Sequence, residues 1–299
     1  MEHNSTLVSI GMPVYNSEKY LEKSLCAILS QTYSNFEVII SDNASTDRTG
    51  EICKAFAARD KRIRYYRNET NLGASRNFGR VFELSKGTYF RWATYDDLMG
   101  PEAVERCLEV LEREPGVVLC YPKTINIDEN GEILDYYEDD FSFLSPDPSR
   151  RFYDFIRRIY SYNCNAMFGL IRRSALEATS LIGSYHSSDK VLLAQLVLKG
   201  KFHEVPEYLF FKRFHPGVST VALKTEKEYA EWHDSSLKGR RVFPRMKRTA
   251  EFVRSIHDSP LRRREKAACY GYLAGFYLLE WERWALLGKQ FMKRGHFVA

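Results

Sequence analysis

Apolar residues follow two rhythms along this 299-residue chain. Residues 7–15 (LVSIGMPVY), 36–42 (FEVIISD), 63–67 and 89–93 are short apolar runs with β-branched and aromatic residues. Runs of this length, closed by Asn, Asp or Ser, predict buried strands. Between them the spacing changes to three and four. Tyr20, Leu21, Leu25, Ile28 and Leu29 share one helical face. Thr46-Asp47 can cap a helix to about Arg59 with Ile52, Phe56 and Ala57 inward. Further helices are expected over 74–84 and from Pro101, which suits a first helical turn, to about Arg113. The order βαβαβαβα predicts a mostly parallel sheet covered on both faces. Ligands of such sheets bind beyond the carboxyl ends of the strands. Residues 13–18, 42–47 and 96–97 all fall there.

The second half is less regular. Residues 117–127 (VVLCYPKTINI) read as a strand, and Asn130-Gly131 is a hairpin turn signal. Helices are expected over 151–160 and 189–198, the latter stopped at Lys199-Gly200, and strands over 166–172 and 202–214. From about Thr225 the chain is helical and basic, with breaks at Pro244 and Pro260. No internal repeat or low-complexity linker is present.

A hydrophobic share of 44% with 28% charged residues is that of a globular chain. Six cysteines (26, 53, 107, 120, 164, 269) form neither a CxxC nor a Cys–His zinc spacing. The opening MEHNST lacks a basic-then-apolar leader. Both features read as a cytoplasmic protein with free thiols. The longest apolar run, 267–279, is shorter than the roughly 18 residues of a spanning helix, so a buried helix is expected there. Residues 224–299 carry 17 Lys and Arg against 9 Asp and Glu, a net of +8, which leaves −3 of the chain's +5 for the first 223. That asymmetry points to a partner for the tail.

Several motifs occur together: Pro13-x-Tyr15-Asn16-x-Glu18, Gln31-Thr32, F-E-x-I-I-x-D-N-x-S-x-D over 36–47, Asn71-Leu72-Gly73, Arg76-Asn77, Asp96-Asp97 and Asp189. In this combination the chain resembles glycosyltransferase family 2 over roughly residues 7–220. The resemblance implies a GT-A fold: a Rossmann-like, mostly parallel α/β sheet sandwiched by helices, here with a C-terminal helical extension. It implies a catalytic domain over 1–222, with a nucleotide-sugar half to about 115 and an acceptor half from 116. Residues 223–299 are then the basic helical region. The implied activity is inverting transfer from a nucleotide-diphosphate sugar, UDP-sugar favoured over dTDP- or GDP-sugar. The acceptor is a hydroxyl compound, in cell-surface polysaccharide or glycolipid synthesis.

The resemblance also assigns residues. Asp42 would accept from the N3–H of uracil or thymine, although DNAST is equally a set of turn formers. Pro13, Val14, Tyr15 and Glu18 would line the other side of the base, with core packing the alternative for Tyr15. Arg76 would lie near base or phosphate, or else on a solvated helix face. Asp96 and Asp97 would face ribose, diphosphate and a divalent metal, Mn²⁺ or Mg²⁺, with Asp97 the principal ligand. Hard oxygen ligands suit such ions, and a cation relieves two adjacent acids. Many family members carry another acid two positions before the pair, and here Thr94 stands there. Asp189 would be the catalytic base, with Ser188 replacing the usual preceding Glu. In inverting transfer one carboxylate takes the acceptor proton opposite the leaving diphosphate. Its alternative is a dipole-stabilising Asp at a helix start. His215 reads as a further metal ligand or a structural histidine, and Arg213 as a phosphate partner. The Pro216-Gly217 loop suits a lid. By family position Trp92, Asn165, Phe168 and Gly169 would shape the sugar and acceptor cleft, though Trp92 reads better as core.

The basic tail carries Tyr270, Tyr272, Phe276, Tyr277, Trp281 and Trp284 beside its arginines. It fits peripheral contact with an anionic membrane, and a lipid-linked acceptor, or else packing on the catalytic unit or in a homo-oligomer. No nucleic-acid recognition motif accompanies the charge. A nucleotidyltransferase would carry a Gly-rich phosphate loop after the first strand, and a dinucleotide oxidoreductase G-x-G-x-x-G. PVYNSEKY is neither. A glycoside hydrolase needs two opposed carboxylates and no nucleotide. The non-enzymatic alternative is a degenerate nucleotide-sugar-binding module, which retention of Asp42, Asp97 and Asp189 disfavours.

Overall fold

Strand β1 (Val8–Val14) turns Val8, Ile10, Met12 and Val14 to one face and Ser9 and Gly11 to the other, the period of two that a strand imposes. It lies between β2 (Phe36–Asp42) and β4 (Tyr89–Trp92), parallel to both, and β3 (Ile63–Arg67) flanks β2 in parallel. The computed structural model describes residues 6–139, 141–218, 222–223, 225–237 and 243–294. The side chains of Glu226, Leu237, Pro244 and residues 280–294 stand outside that description.

The crossovers are α1 (Leu21–Leu29), α2 (Thr49–Arg59) and α3 (Ala74–Glu83). After the short β5 (Leu98–Met99) come α4 (Ala103–Arg113), β6 (Val117–Ile127) and β7 (Ile133–Tyr137). Helix α5 (Pro148–Arg158), strand β8 (Leu170–Arg172), the short α6 (Arg173–Glu177), α7 (Ser188–Lys199) and β9 (Lys201–Arg213) complete the sheet region. Among the described residues the sheet runs β3-β2-β1-β4-β8-β6-β9-β5, with β7 on β6. β6 and β9 keep the direction of the first four strands, whereas β5, β7 and β8 run against it. The mostly parallel expectation holds.

Helices cover both faces. Leu25 and Ile28 of α1, Ile52 of α2 and Val104 and Leu108 of α4 pack on one side. Val81 of α3, Phe152 and Phe155 of α5 and Val191 and Leu192 of α7 pack on the other. The N-terminal part of the basic region joins this second core. Helix α9 (Pro244–Asp258) gives it Phe252 and Ile256, and α10 (Arg263–Arg294) gives it Cys269 and Leu273. Pro244 opens α9 at its first turn, where its missing N–H costs nothing.

Four local expectations are corrected. Residues 165–168 form a 3₁₀ turn, and only 170–172 extend as β8. Helix α2 begins at Thr49, and Asp47 accepts from the Thr49 N–H at 3.0 Å from outside the helix. Pro101 and Glu102 form a turn before α4, which begins at Ala103. The run 267–279 is not a buried helix: Cys269 and Leu273 are buried, but Leu278 and Leu279 are more than 60% exposed. No helix among the described residues is long and apolar enough to cross a membrane.

The short helix α8 (Glu226–His233), closed by a Thr225–Glu228 capping box, seats against the start of α3. Gly73 makes this possible. Its φ is +83°, and a Cβ there would stand 2.6 Å from the His233 carbonyl oxygen. Gly73→Ala is expected to cost roughly 1–3 kcal/mol, from the left-handed backbone plus the collision. A lowered melting temperature together with faster proteolysis near residue 234 would show it; wild-type values for both would refute it.

Candidate active site

The loops after β1 and β2 are laced together. The Asn16 N–H donates to Ser45 Oγ at 3.0 Å, and Asn16 Oδ1 accepts from the Thr46 N–H at 2.9 Å. The Glu18 N–H donates to Asp47 Oδ2 at 3.1 Å, and Glu18 Oε2 accepts from the Arg48 N–H at 3.0 Å. Asn16 and Ala44 take positive φ values of 47° and 64° to allow it. Pro13 is half-buried, Val14 buried, and Tyr15 and Glu18 exposed at this edge.

Asp42 lies at the end of β2 with no exposed surface. Its Oδ1 accepts from the Ser45 N–H at 2.8 Å, and its Oδ2 from Tyr65 Oη and Arg67 Nη1, both at 2.7 Å. Asp42 is fully covered, so a base N–H reaches this carboxylate only if one of the groups around it yields. Next to it, Asn43 Oδ1 accepts from the Leu72 N–H at 2.8 Å, and its Nδ2 donates to Asn71 Oδ1 at 2.8 Å. The Asn71-Leu72-Gly73 motif is thereby tied to the strand end. Arg76 is exposed on the outer side of α3, beside a cavity of about 360 Å³ lined also by Leu72, Arg80 and Leu181. Asn77, its neighbour, turns inward to the Ser41 carbonyl at 2.8 Å.

Asp96 and Asp97 follow β4 and are nearly buried. Asp97 Oδ1 accepts from the Arg213 N–H at 2.8 Å, and its Oδ2 from the Thr94 hydroxyl at 2.6 Å. Thr94 thus supplies a donor to the acid pair. Burial, and next the charge of Asp96, still push the Asp97 carboxyl up to about 7. Asp96 Oδ2 lies 3.0 Å from His215 Nε2. His215 Nδ1 accepts from the Gly217 N–H at 3.2 Å, so a single neutral tautomer, protonated on Nε2, satisfies both contacts. His215 thus sits on Asp96 rather than Asp97, and ligating a cation through Nε2 would mean releasing that contact.

Arg213 is almost wholly buried, and its guanidinium donates to the carbonyls of Asp96 (2.9 Å), Asp128 (3.0 Å) and Glu129 (3.2 Å). It locks the β6–β7 turn against the acid pair and presents no free face to a phosphate. Tyr20 packs beneath both residues, its ring centroid 4.8 Å from His215 and 4.9 Å from the Arg213 guanidinium carbon. The helical periodicity placed Tyr20 among ordinary core residues; only the fold shows what it supports.

Asp189 sits in the first turn of α7, after Ser187 at φ +64°, and is half-buried. The thiol of Cys164 is in hydrogen-bond contact with it and is pushed up by burial and by the Asp189 charge. Ser188 is buried and its hydroxyl has no partner among the described residues. His233 of α8 lies near enough to feel the charge of Asp189, yet burial holds it at about 4, so it is neutral at physiological pH.

One residue joins the two acid centres and was missed from the sequence. The Lys212 ammonium, 2.8 Å from Asn165 Oδ1, lowers both the Asp97 carboxyl and the Cys164 thiol beside Asp189. A lysine on a strand carries no motif, so only the pairing of β9 with β6 shows where it points. Asn165 is buried and bonds Thr124 Oγ1 at 3.2 Å, and Phe168 stacks on Phe210. Trp92 is core, its indole N–H donating to the Phe78 carbonyl at 3.0 Å.

Residues 9–179 match the model of the glycosyl transferase family 2. The chain belongs to that family. It is 37% identical over 116 residues to the glycosyltransferase GlyG of Streptococcus pneumoniae, covering 38% of each chain. It is 33% identical over 128 residues to the chondroitin synthase of Escherichia coli, covering 43% of this chain and 18% of that one. The chain spans less than half the length of these curated relatives. Crystal structures of S. aureus TarS with UDP and with UDP-GlcNAc superpose with a TM-score of 0.65 at 16% identity, covering 90% of this chain and 70% and 71% of those. That likeness shows the GT-A fold.

Among the described residues no three His, Cys, Asp or Glu side chains converge into a metal cage. A hard divalent cation that takes one or two carboxylates and completes its shell with substrate phosphates and water would draw on Asp96 and Asp97.

Proposed function

We propose that this protein is an inverting glycosyltransferase that takes a nucleotide-diphosphate sugar, UDP-sugar first, and passes the sugar to a hydroxyl acceptor of cell-surface polysaccharide or glycolipid synthesis. What supports this reading is Lys212, which is hydrogen-bonded to Asn165 and whose charge acts both on the Asp97 carboxyl and on the Cys164 thiol beside Asp189, so that one ammonium serves two separate acid centres. One centre suits a leaving diphosphate and the other an incoming hydroxyl. The catalytic unit is residues 1–222, and 223–299 are the basic helical region. The solved neighbours bind UDP and UDP-GlcNAc, which favours uridine for the donor here.

The base end of the donor is assigned to Pro13, Val14, Tyr15, Glu18 and Asp42, with Arg76 at the rim. Asp97, with Asp96 beside it, would hold Mn²⁺ or Mg²⁺ and direct the diphosphate. When bound, such a cation supplies Lewis-acid stabilisation of the charge that develops on the leaving group. His215 and Arg213 position the acid pair from behind. Asp189 takes the proton of the acceptor hydroxyl as its oxygen attacks the anomeric carbon and the bond to the diphosphate breaks.

Calorimetric titration with UDP, dTDP and GDP, each with and without Mn²⁺, tests the donor half. Metal-dependent binding of one nucleotide, UDP foremost, is expected. No binding of any would replace this reading with that of a degenerate module.

A further inference from the structure

Helix α8 opens the basic region, yet one of its faces meets the segment that carries Asp189. Tyr229 and His233 stand one turn apart on that face. Tyr229 stacks on His186, ring centroids 4.2 Å apart and planes inclined by 15°. His233 Nδ1 lies 3.0 Å from Ser75 Oγ of α3, and Ser75 Oγ lies 2.8 Å from the Gly183 carbonyl oxygen. Ser75 and His233 are both more than nine-tenths buried. A carbonyl only accepts, so the single hydroxyl proton of Ser75 goes to Gly183. His233 Nδ1 must then carry a hydrogen and donate it to Ser75, which fixes the tautomer of the neutral ring. One histidine thus ties together α8, α3 and the loop before α7.

That loop needs such a tie. Leu181 and Ser187, near its two ends, take φ values of 53° and 64°. A residue with a side chain holds this left-handed backbone only where its surroundings over-determine it. Among the described residues Ser187 makes no side-chain cap on α7, so the helix start is not fixed from within. His233 is also near enough to Asp189 to feel its charge. We propose that His233, donating through Nδ1 to Ser75, is a positioning residue that holds residues 181–188 and thereby sets where the Asp189 carboxylate stands. The first helix of the basic region is then a working part of the transfer site, although it follows residue 222. The hold on the loop is independent of the chemistry; its use in transfer rests on the role proposed for Asp189. The donor end is held separately, by Ser235 Oγ on the Asn71 carbonyl at 3.2 Å and by the His233 backbone against Gly73.

Variants of the full chain test this. His233→Gln places its amide N–H where Nε2 stood and loses the bond to Ser75, whereas His233→Asn keeps an N–H where Nδ1 stood. In His233→Gln, hydrogen exchange of the 181–188 amides should quicken about tenfold, the worth of one buried hydrogen bond. Its kcat for sugar transfer should fall roughly tenfold to a hundredfold, as a misplacement of about 1 Å does, while UDP affinity changes less than about twofold. His233→Asn should restore most of both losses. Ser75→Ala should match His233→Gln, and the double variant should be no worse than either alone. Imidazole nitrogen NMR of the wild type should place the His233 hydrogen on Nδ1. Equal losses in the Gln and Asn variants, unchanged exchange in His233→Gln, or hydrogen on Nε2 would each overturn the proposal. Normal transfer by Asp189→Asn would remove the base instead, and the use of the tie with it, while the exchange result would still report the tie.

Discussion

Asp189→Asn is expected to lower the rate of sugar transfer by about a thousandfold, within the range that a positioned general base contributes. Asparagine keeps the size and the hydrogen bond from the Lys190 N–H, 2.9 Å in the wild type, but cannot take a proton. Donor affinity should change less than about twofold, because the nucleotide is assigned to the β1 and β2 ends. A loss confined to kcat, with nucleotide binding intact by calorimetry, is the signature of a base. If the variant turns over normally, Asp189 serves only to stabilise the start of α7, and the proton acceptor must be sought elsewhere. A parallel loss of kcat and donor affinity would instead place Asp189 in the donor pocket.

Asp97→Asn should have the second-largest effect, with a different profile. Transfer should fall by about a hundredfold or more, since a Lewis acid at a diphosphate contributes several kcal/mol. The loss should appear in metal-dependent donor affinity: UDP binding with Mn²⁺ should drop toward its metal-free level. Stability should not fall. The native carboxyl is raised to about 7 by burial and by Asp96, so replacing it with a neutral amide removes an unfavourable charge while leaving the amide oxygen to accept from the Arg213 N–H and an amide N–H that the Thr94 hydroxyl, once rotated, accepts. A variant that melts at or above the wild-type temperature yet ignores Mn²⁺ would bear this out. One that binds UDP with full metal dependence would remove Asp97 as the principal ligand.

Much of the architecture was legible beforehand. The apolar runs at 36–42 and 117–127 coincide with β2 and β6, because a strand buried on both faces has little choice but continuous apolar residues, whereas 63–67 forms the edge strand β3, where Arg64 and Arg67 are tolerated. The parallel arrangement of β2 and β4 on β1 puts Asp42 and Asp96 at the same end of the sheet. The run 267–279 is not buried throughout because its apolar residues divide between a core face and an outward one, a division that composition does not carry. The 3₁₀ turn at 165–168 was invisible because its residues serve the close packing of β8 on β6, and not a local propensity.

The sequence by itself determined the family, the order of elements and the strand-end acids, since each depends on local spacing along the chain. Tertiary structure alone decided what those residues touch. His215 lies 119 positions from Asp96 and Arg213 lies 116 from Asp97, yet they meet within 3.0 and 2.8 Å because β9 is laid beside β5 and β6. The same pairing brings Lys212 near enough to act on both Asp97 and the Cys164 thiol beside Asp189, and the left-handed backbone at Gly73 lets α8 seat against α3 with His233 near Asp189. Contacts between distant segments are set by how the sheet closes and packs, and a one-dimensional pattern does not encode which side chains that closure brings together.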